Sequence, residues 1–327
     1  MKIDELKIVV IVPIFNCENY LADCLESLLA QTYKNWVAYC VDDGSKDSSG
    51  AILDKYSEKD SRIIALHKQN GGEHSARNYA LNRIVASKDK WIAFVDGDDY
   101  ISPFMFEHLV YILNKVSNPK CQYMRLYCQR TPLDIKDNVS YNSLLKESIG
   151  EYSFDGIESQ IKVFDNDGYF YDGHCGGQIS SAFINSELIS AFNYRGPEEM
   201  RLMGDQVFTM KCAIKSPFIV EFTNQDYFYR YNPNSVIQTT RDASEFIIRC
   251  VNYVYEAMKE DGMTQARKFY LENNYLPIKM ELLVATRFKS RGTGLLPLLN
   301  NEIDIPKYLR GWRYKLAYTY LKILKRL

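Results

Sequence analysis

Trp91-Ile92-Ala93-Phe94-Val95-Asp96-Gly97-Asp98-Asp99 is a short apolar run that stops at three carboxylates within four residues. The aromatic and β-branched side chains from Trp91 to Val95 predict a buried central strand. Open α/β sheets bind their ligands beyond the carboxyl ends of strands, so Asp96, Asp98 and Asp99 are expected at a site. Like charges this close repel unless protons or a cation neutralise them. Oxygen-only ligands favour a hard divalent ion, Mg²⁺ or Mn²⁺, and such ions are commonly shared with substrate phosphates. Asp and Gly also build ordinary turns, so this stretch alone leaves a solvated acidic loop open.

Working outward from it, the first 117 residues alternate strand and helix patterns with short connections. Strands are predicted at Ile8–Val12, Val37–Val41, Ile63–Leu66 and Trp91–Val95. Helices are predicted at Tyr20–Leu29, around Ser49–Tyr56 and at Ser75–Val85. Repeated β-α units of this length imply a doubly wound, mostly parallel sheet with helices on both faces. From 118 to 200 the periodicity is poorer, with a strand-like Tyr123–Cys128 and an aromatic, glycine-rich stretch from Tyr169 to Gly177. Beyond 241 the pattern is helical, and Pro306 opens a terminal helix over 307–327. We therefore divide the chain into an α/β domain, 1–240, and a helical carboxy-terminal extension, 241–327.

Composition narrows the classes. The chain is 46% hydrophobic and 25% charged with a formal net charge of −1, which gives no case for a nucleic-acid binder. Its eight cysteines (17, 24, 40, 121, 128, 175, 212 and 250) form no CxxC pair and no zinc-type spacing. Several lie in apolar runs, as small buried hydrophobes do, which suggests a reducing, cytoplasmic setting. The amino-terminal MKIDELK leads into a strand ending at Pro13 rather than a signal peptide. No window reaches the roughly 18 apolar residues that a spanning helix needs.

Three further strand-to-helix junctions face the same edge. Val12-Pro13-Ile14-Phe15-Asn16 enters a helix expected near Glu18; its free N–H groups suit an anion or a base edge, and Phe15 suits stacking. Pro13 and Asn16 equally suit a plain turn. Val41-Asp42-Asp43-Gly44-Ser45-Lys46-Asp47 places acids where a nucleoside could donate hydrogen bonds, although Ser45 or Asp47 also suits a helix cap. A dinucleotide fold is excluded on detail, because the first turn has no GxGxxG. Asn70-Gly71-Gly72-Glu73-His74-Ser75-Ala76-Arg77-Asn78 supplies a glycine turn and Arg77, which suits a phosphate or ribose but also a plain surface. His74 reads first as structural or solvated.

Taken in order, IVVIVPIFNCENYLADCLESLLAQTY, VDDGSKDSS, NGGEHSARNYAL and WIAFVDGDDYISP resemble the family-2 glycosyltransferases, inverting enzymes of the GT-A fold. The resemblance implies a nucleotide-sugar donor, most often a UDP-sugar. It puts Pro13, Phe15 and Asp43 at the base, Asn16 among the donor-binding residues, and Asp42, Arg77 and Asp96 around ribose and phosphates. Asp98, matching the last acid of the family's DxD motif, would ligate Mg²⁺ or Mn²⁺ with Asp96 as its helper.

Inverting transfer also needs a general base for the acceptor hydroxyl. The family's Glu-Asp pair at a helix start matches Met203-Gly204-Asp205-Gln206-Val207-Phe208, with Asp205 as base and Gly204 in place of the usual Glu. Glu198 and Glu199 compete for that role without a following helix pattern, and Asp205 also suits an N-cap. Tyr227-Phe228-Tyr229-Arg230-Tyr231 through Val236 resembles the family's donor-closing segment. There Arg230 suits either a phosphate or a packed aromatic site. Tyr171-Asp172-Gly173-His174-Cys175-Gly176-Gly177-Gln178 falls where the family builds part of its sugar and acceptor site.

Residues 307–327 carry seven Lys or Arg and no acid, with Leu309, Trp312, Leu316, Tyr320, Ile323, Leu324 and Leu327 at helical spacing. That pattern fits a helix on an anionic membrane surface and equally one packed on protein. The expected activity is metal-dependent transfer of a sugar to a glycan or lipid-linked acceptor in surface-polysaccharide assembly. Two alternatives are a non-catalytic partner that keeps the donor fold and a sugar nucleotidyltransferase. The latter should carry a glycine-rich, basic loop after its first strand, where this chain has Pro13-Ile14-Phe15-Asn16.

Overall fold

The computed structural model describes residues 6–86, 90–116, 120–126, 161–165, 178–193, 195–222, 226–230, 232, 240, 243–259, 263–290, 299 and 302–323. Four parallel strands form one half of its sheet: β1 (Lys7–Ile14), β2 (Trp36–Asp42), β3 (Ile63–His67) and β4 (Lys90–Phe94), in spatial order β3-β2-β1-β4. The sheet continues through β8 (Ala182–Asn185), β6 (Cys121–Leu126), β9 (Phe218–Phe222) and β7 (Ile161–Asp165). In this second half only β6 and β9 pair in parallel; β4–β8, β6–β8 and β7–β9 are antiparallel. A small antiparallel pair, β5 (Tyr100–Ile101) with β10 (Tyr227–Phe228), stands beside it.

The alternation of β1 and β4 explains why the sheet is covered on both sides. Ile8, Val10, Val12, Trp91, Ala93 and Val95 belong to one core, packed under α1 (Leu21–Leu29) and α4 (Met105–Val116). Val9, Ile11, Ile92 and Phe94 belong to the opposite core. In α1, Leu21, Cys24, Leu25 and Leu28 recur at three- and four-residue spacing and are all fully buried. The helix begins at Leu21 rather than near Glu18, whose carboxylate instead accepts the Ser48 amide, 2.9 Å away.

Between these elements lie α2 (Ser49–Lys59) and α3 (Glu73–Leu81), the latter four residues shorter at its end than the predicted helix. Small Ala76 and Ala80 let α3 lie against β1 and β2. After β8 come α5 (Ser186–Ala191) and α6 (Gly204–Lys215). Phe208 of α6 meets Phe94 of β4 edge to face, with centroids 5.9 Å apart. The helix that starts at Gly204 is thereby fixed against the strand that ends before Asp96, and such a pair contributes about 1 kcal/mol beyond its buried area.

The carboxy-terminal helices α7 (Ser244–Ala257), α8 (Gln265–Tyr270) and α9 (Leu276–Ser290) follow, and buried residues of α7 and α9 share the α3 and α6 core. The predicted terminal helix is broken in two, α10 (Ile305–Tyr308) and α11 (Trp312–Ile323). At the break, Glu281 accepts the amides of Arg310 and Gly311 at 3.0 and 3.1 Å, and these bonds replace helical ones. Leu309 and Leu321 are buried, with Tyr314, Ala317 and Tyr318 packed beside them, whereas Trp312 and Leu316 are 67% and 61% exposed. The inner face is therefore not the predicted stripe. Leu324 and Leu327 lie outside the described residues.

Candidate active site

The loop after β4 is fixed by side chains rather than by regular structure. The Tyr227 phenol accepts the Asp96 amide at 3.1 Å and donates to Asp99 Oδ2 at 2.7 Å, while the Arg230 amide donates to Asp99 Oδ1 at 2.8 Å. Asp99 is 1% exposed, so its role is to anchor the loop. Beneath it, Asp226 accepts Ser102 Oγ and lies 2.8 Å from His108 Nδ1, which ties the start of β10 to β5 and α4. Asp96 and Asp98 remain half-buried at the rim, and Asn232 donates to Asp98 Oδ2 at 2.9 Å.

Under that rim lies Arg77, 2% exposed and not at the surface. Its Nη2 is 2.7 Å from Asp96 Oδ1 and also pairs with Glu73, one turn earlier on α3. The same guanidinium acts on Asp205, whose carboxyl burial pushes up and Arg77 pulls back. Asp96 follows the same pattern, raised by burial and opposed by Arg77. Burial also raises Asp98, opposed by Asn232, and it raises Asp99 well above the usual carboxylate range with help from Asp98 and Asp96. The recess therefore holds more acid than base, in surroundings that disfavour free carboxylates.

Asp205 is the second residue of α6, not its cap; Met203 occupies the cap position with φ 61° and ψ 2°. A left-handed backbone at a residue other than Gly or Asn costs about 1–3 kcal/mol and marks a conformation held by its surroundings. The Asp205 carboxylate accepts the Gln206 amide at 2.8 Å. Glu198, the competing acid, accepts Asn78 Nδ2 at 2.8 Å.

The base-side residues are largely engaged with one another. Asp42 does not open toward the recess: Oδ1 accepts the Ser45 amide at 2.9 Å and Oδ2 lies 3.1 Å from His67 Nδ1. Asp43, 1% exposed, accepts Lys68 Nζ at 2.6 Å, Asn70 Nδ2 at 3.1 Å and the Gly72 amide at 2.7 Å. Asn16 takes φ 50° and knits the first loop to the second, its amide donating to Ser45 Oγ and its Oδ1 accepting the Lys46 amide. Pro13 pairs in register with Val41 inside the sheet, and Phe15 is 49% exposed beside it, free to stack. Arg230 takes the packed alternative, 2.9 Å from Asp23 and about equally far from the Tyr20 and Tyr100 rings, at 5.2 and 5.1 Å. Residues 171–177 lie outside the described residues, as do Tyr231 and 233–236.

Among the described residues no three His, Cys, Asp or Glu side chains gather closely enough to enclose a metal ion unaided. One or two carboxylates completed by substrate phosphates is a usual Mg²⁺ arrangement. Asp98, half-buried and raised by burial, and beside it Asp96, which shares the Arg77 charge with Glu73 and Asp205, fit an ion held in that way.

Residues 9–183 match the family described as Glycosyl transferase family 2. The chain belongs to that family. Glycosyltransferase GlyA of Streptococcus pneumoniae is 28% identical over 302 residues, covering 90% of this chain but 40% of its own length. This chain thus spans less than half of that relative. The structure of S. aureus TarS residues 1–349 with UDP-GlcNAc superposes with a TM-score of 0.66 at 16% identity, covering 98% of this chain and 88% of that one. The mannosyltransferase PcManGT of Pyrobaculum calidifontis, in complex with GDP-Man and Mn²⁺, superposes at 0.55 with 13% identity over 98% and 88% of the two chains. These likenesses show the GT-A arrangement of family 2.

Three residues at the site escape a reading of the sequence. Tyr227 holds the Asp96 amide and the Asp99 carboxylate at once, and nothing in its neighbourhood along the chain distinguishes it from Tyr229 or Tyr231. Glu73 and Asp23 are the other two; an i,i+4 Glu–Arg pair was the available signal for Glu73.

Proposed function

We propose that this family-2 chain is a metal-dependent inverting glycosyltransferase that moves a sugar from a nucleotide-sugar, a UDP-sugar in the first instance, to a hydroxyl of a glycan or lipid-linked acceptor. The observation that carries the reading is the buried Arg77 charge shared by Asp96, at the end of β4, and Asp205, at the start of α6. It brings the acidic loop and the candidate base into one recess from distant parts of the chain.

Phe15 stacks on the nucleobase, and the Asp43-held glycine turn faces the nucleoside. Asp98, with Asp96, would hold Mg²⁺ or Mn²⁺, and the ion would supply charge neutralisation for the departing nucleoside diphosphate. Asp205 accepts the proton of the acceptor hydroxyl. The acceptor oxygen then forms its bond to the anomeric carbon from the face opposite the nucleotide, as the bond to the phosphate oxygen breaks. Burial suits Asp205 to this work, because a raised carboxyl holds a proton better than an exposed one. No covalent sugar intermediate forms, and the product inverts the donor configuration.

The basic segment from Lys307 and the exposed Trp312 and Leu316 support a reading in which the chain lies against an anionic membrane surface, where a lipid-linked acceptor would reside. No helix among the described residues is long and apolar enough to cross a membrane.

The test is release of UDP from UDP-glucose, UDP-galactose and UDP-N-acetylglucosamine by the wild-type chain and by Asp205→Asn. Loss of a general base lowers turnover by about 10²–10⁴-fold, with UDP binding retained. Wild-type turnover by Asp205→Asn removes the base assignment.

A further inference from the structure

The ring of His74 stands where two glycines have no side chain. A Cβ built on Gly204 lies 2.2 Å from His74 Nε2, and one built on Gly196 lies 2.5 Å from Nδ1. Neither contact is sterically tolerable, so the imidazole is inserted between the two backbones as a spacer. One turn further along the same face of α3, the Asn78 side chain donates to the Gly196 carbonyl at 2.9 Å and to Glu198 at 2.8 Å. Its oxygen accepts the Gly196 amide at 2.8 Å. Both side chains are 5% exposed.

These two residues grip both ends of the 196–204 segment, which ends in the left-handed Met203 and delivers Asp205 to the recess. A strained backbone persists only where its surroundings over-determine it, and here the surroundings are His74 and Asn78. Arg77, between them on α3, supplies the charge that faces Asp205. One helix thus sets both the position and the charge environment of that carboxylate.

We propose that His74 and Asn78 are positioning residues for Asp205, and that histidine at 74 requires glycine at 204 because the imidazole and a side chain at 204 compete for one volume. The proposal rests on Asp205 as base. It assigns no contact between His74 and substrate.

The decisive experiment uses Gly204→Ala, His74→Ser and the double variant in the full chain. Amide hydrogen exchange over 196–207, UDP release from the three UDP-sugars and calorimetric UDP binding with Mn²⁺ are read together. Gly204→Ala alone should speed exchange in that segment and slow UDP release, each by about tenfold or more, while UDP binding changes by less than about threefold. The double variant should bring both back to within about threefold of wild type, since serine vacates the volume that the new methyl needs. Wild-type exchange in Gly204→Ala, or a double variant no better than Gly204→Ala, overturns the proposal. Asp205→Asn, run alongside, separates the two claims. If it turns over normally the base assignment fails, while rescue of segment exchange by the double variant still establishes the 74–204 coupling.

Discussion

Arg77 Nη2 lies 2.7 Å from Asp96 Oδ1 with the guanidinium 2% exposed. Removing one partner of a buried ion pair leaves the other charge uncompensated, at a cost of about 3–5 kcal/mol. Here Glu73, Asp96 and Asp205 all depend on the same cation. Arg77→Met should therefore lower stability by about that amount in urea denaturation, and Arg77→Lys should recover only part of it because the shorter lysine does not bring its ammonium to the place where Nη2 meets both Glu73 and Asp96. Unchanged midpoints for both variants would show that the acids are satisfied by other means.

His74 predicts a specific acid sensitivity. Burial, reinforced by Arg77, lowers its pKa from 6.5 to about 3. The unfolded chain takes up a proton below 6.5 that the folded chain refuses, so stability is complete above that pH and is lost as pH falls toward 3. At pH 5 the loss is about 2 kcal/mol. Comparing urea midpoints at pH 7.5 and pH 5 should show a smaller acid loss in His74→Ser than in wild type. Equal losses would mean that the imidazole is solvated.

The first strands, their helices and the acidic loop were legible because each is a local pattern: an apolar run, a turn, a three- and four-residue repeat. The helix start that carries Asp205 was legible for the same reason, through Val207 and Phe208 after it. The His74–Gly204 contact was not, since it joins positions far apart and shows only as a missing side chain. The His67 partner of Asp42 was not legible either, because an acid at a strand end looks alike whether it faces a ligand or a histidine. The predicted stripe of the terminal helix failed at Gly311, where Glu281 draws two amides out of the helix and turns Trp312 and Leu316 outward.

Phe208 joins α6 to β4 through Phe94 and is 1% exposed. Phe208→Ala should cost about 3–5 kcal/mol by opening a cavity at that junction. Phe208→Leu should lose less stability, yet lower UDP release more than UDP binding, because α6 carries Asp205 and not the nucleotide contacts. Equal loss of both would place the damage in the whole fold.

Exposed Trp312 and Leu316, with Arg313 and Lys315 exposed on the same helix, predict salt-sensitive binding to anionic vesicles. Co-sedimentation with phosphatidylglycerol-containing vesicles should fall in the double variant Trp312→Ser/Leu316→Ser, and neutral vesicles should retain little of either protein. Equal sedimentation of wild type and variant would assign this face to contact with protein.

The most direct test of the account is the thermal stability of wild type and Asp98→Ala with UDP, GDP, dTDP or CMP, each with and without Mn²⁺. A ligand that binds only the folded state adds about 2.7 kcal/mol at a hundredfold excess over its dissociation constant. The account predicts a wild-type shift with UDP that requires Mn²⁺ and disappears in Asp98→Ala. A UDP shift of equal size without Mn²⁺, or one that survives in Asp98→Ala, would contradict it.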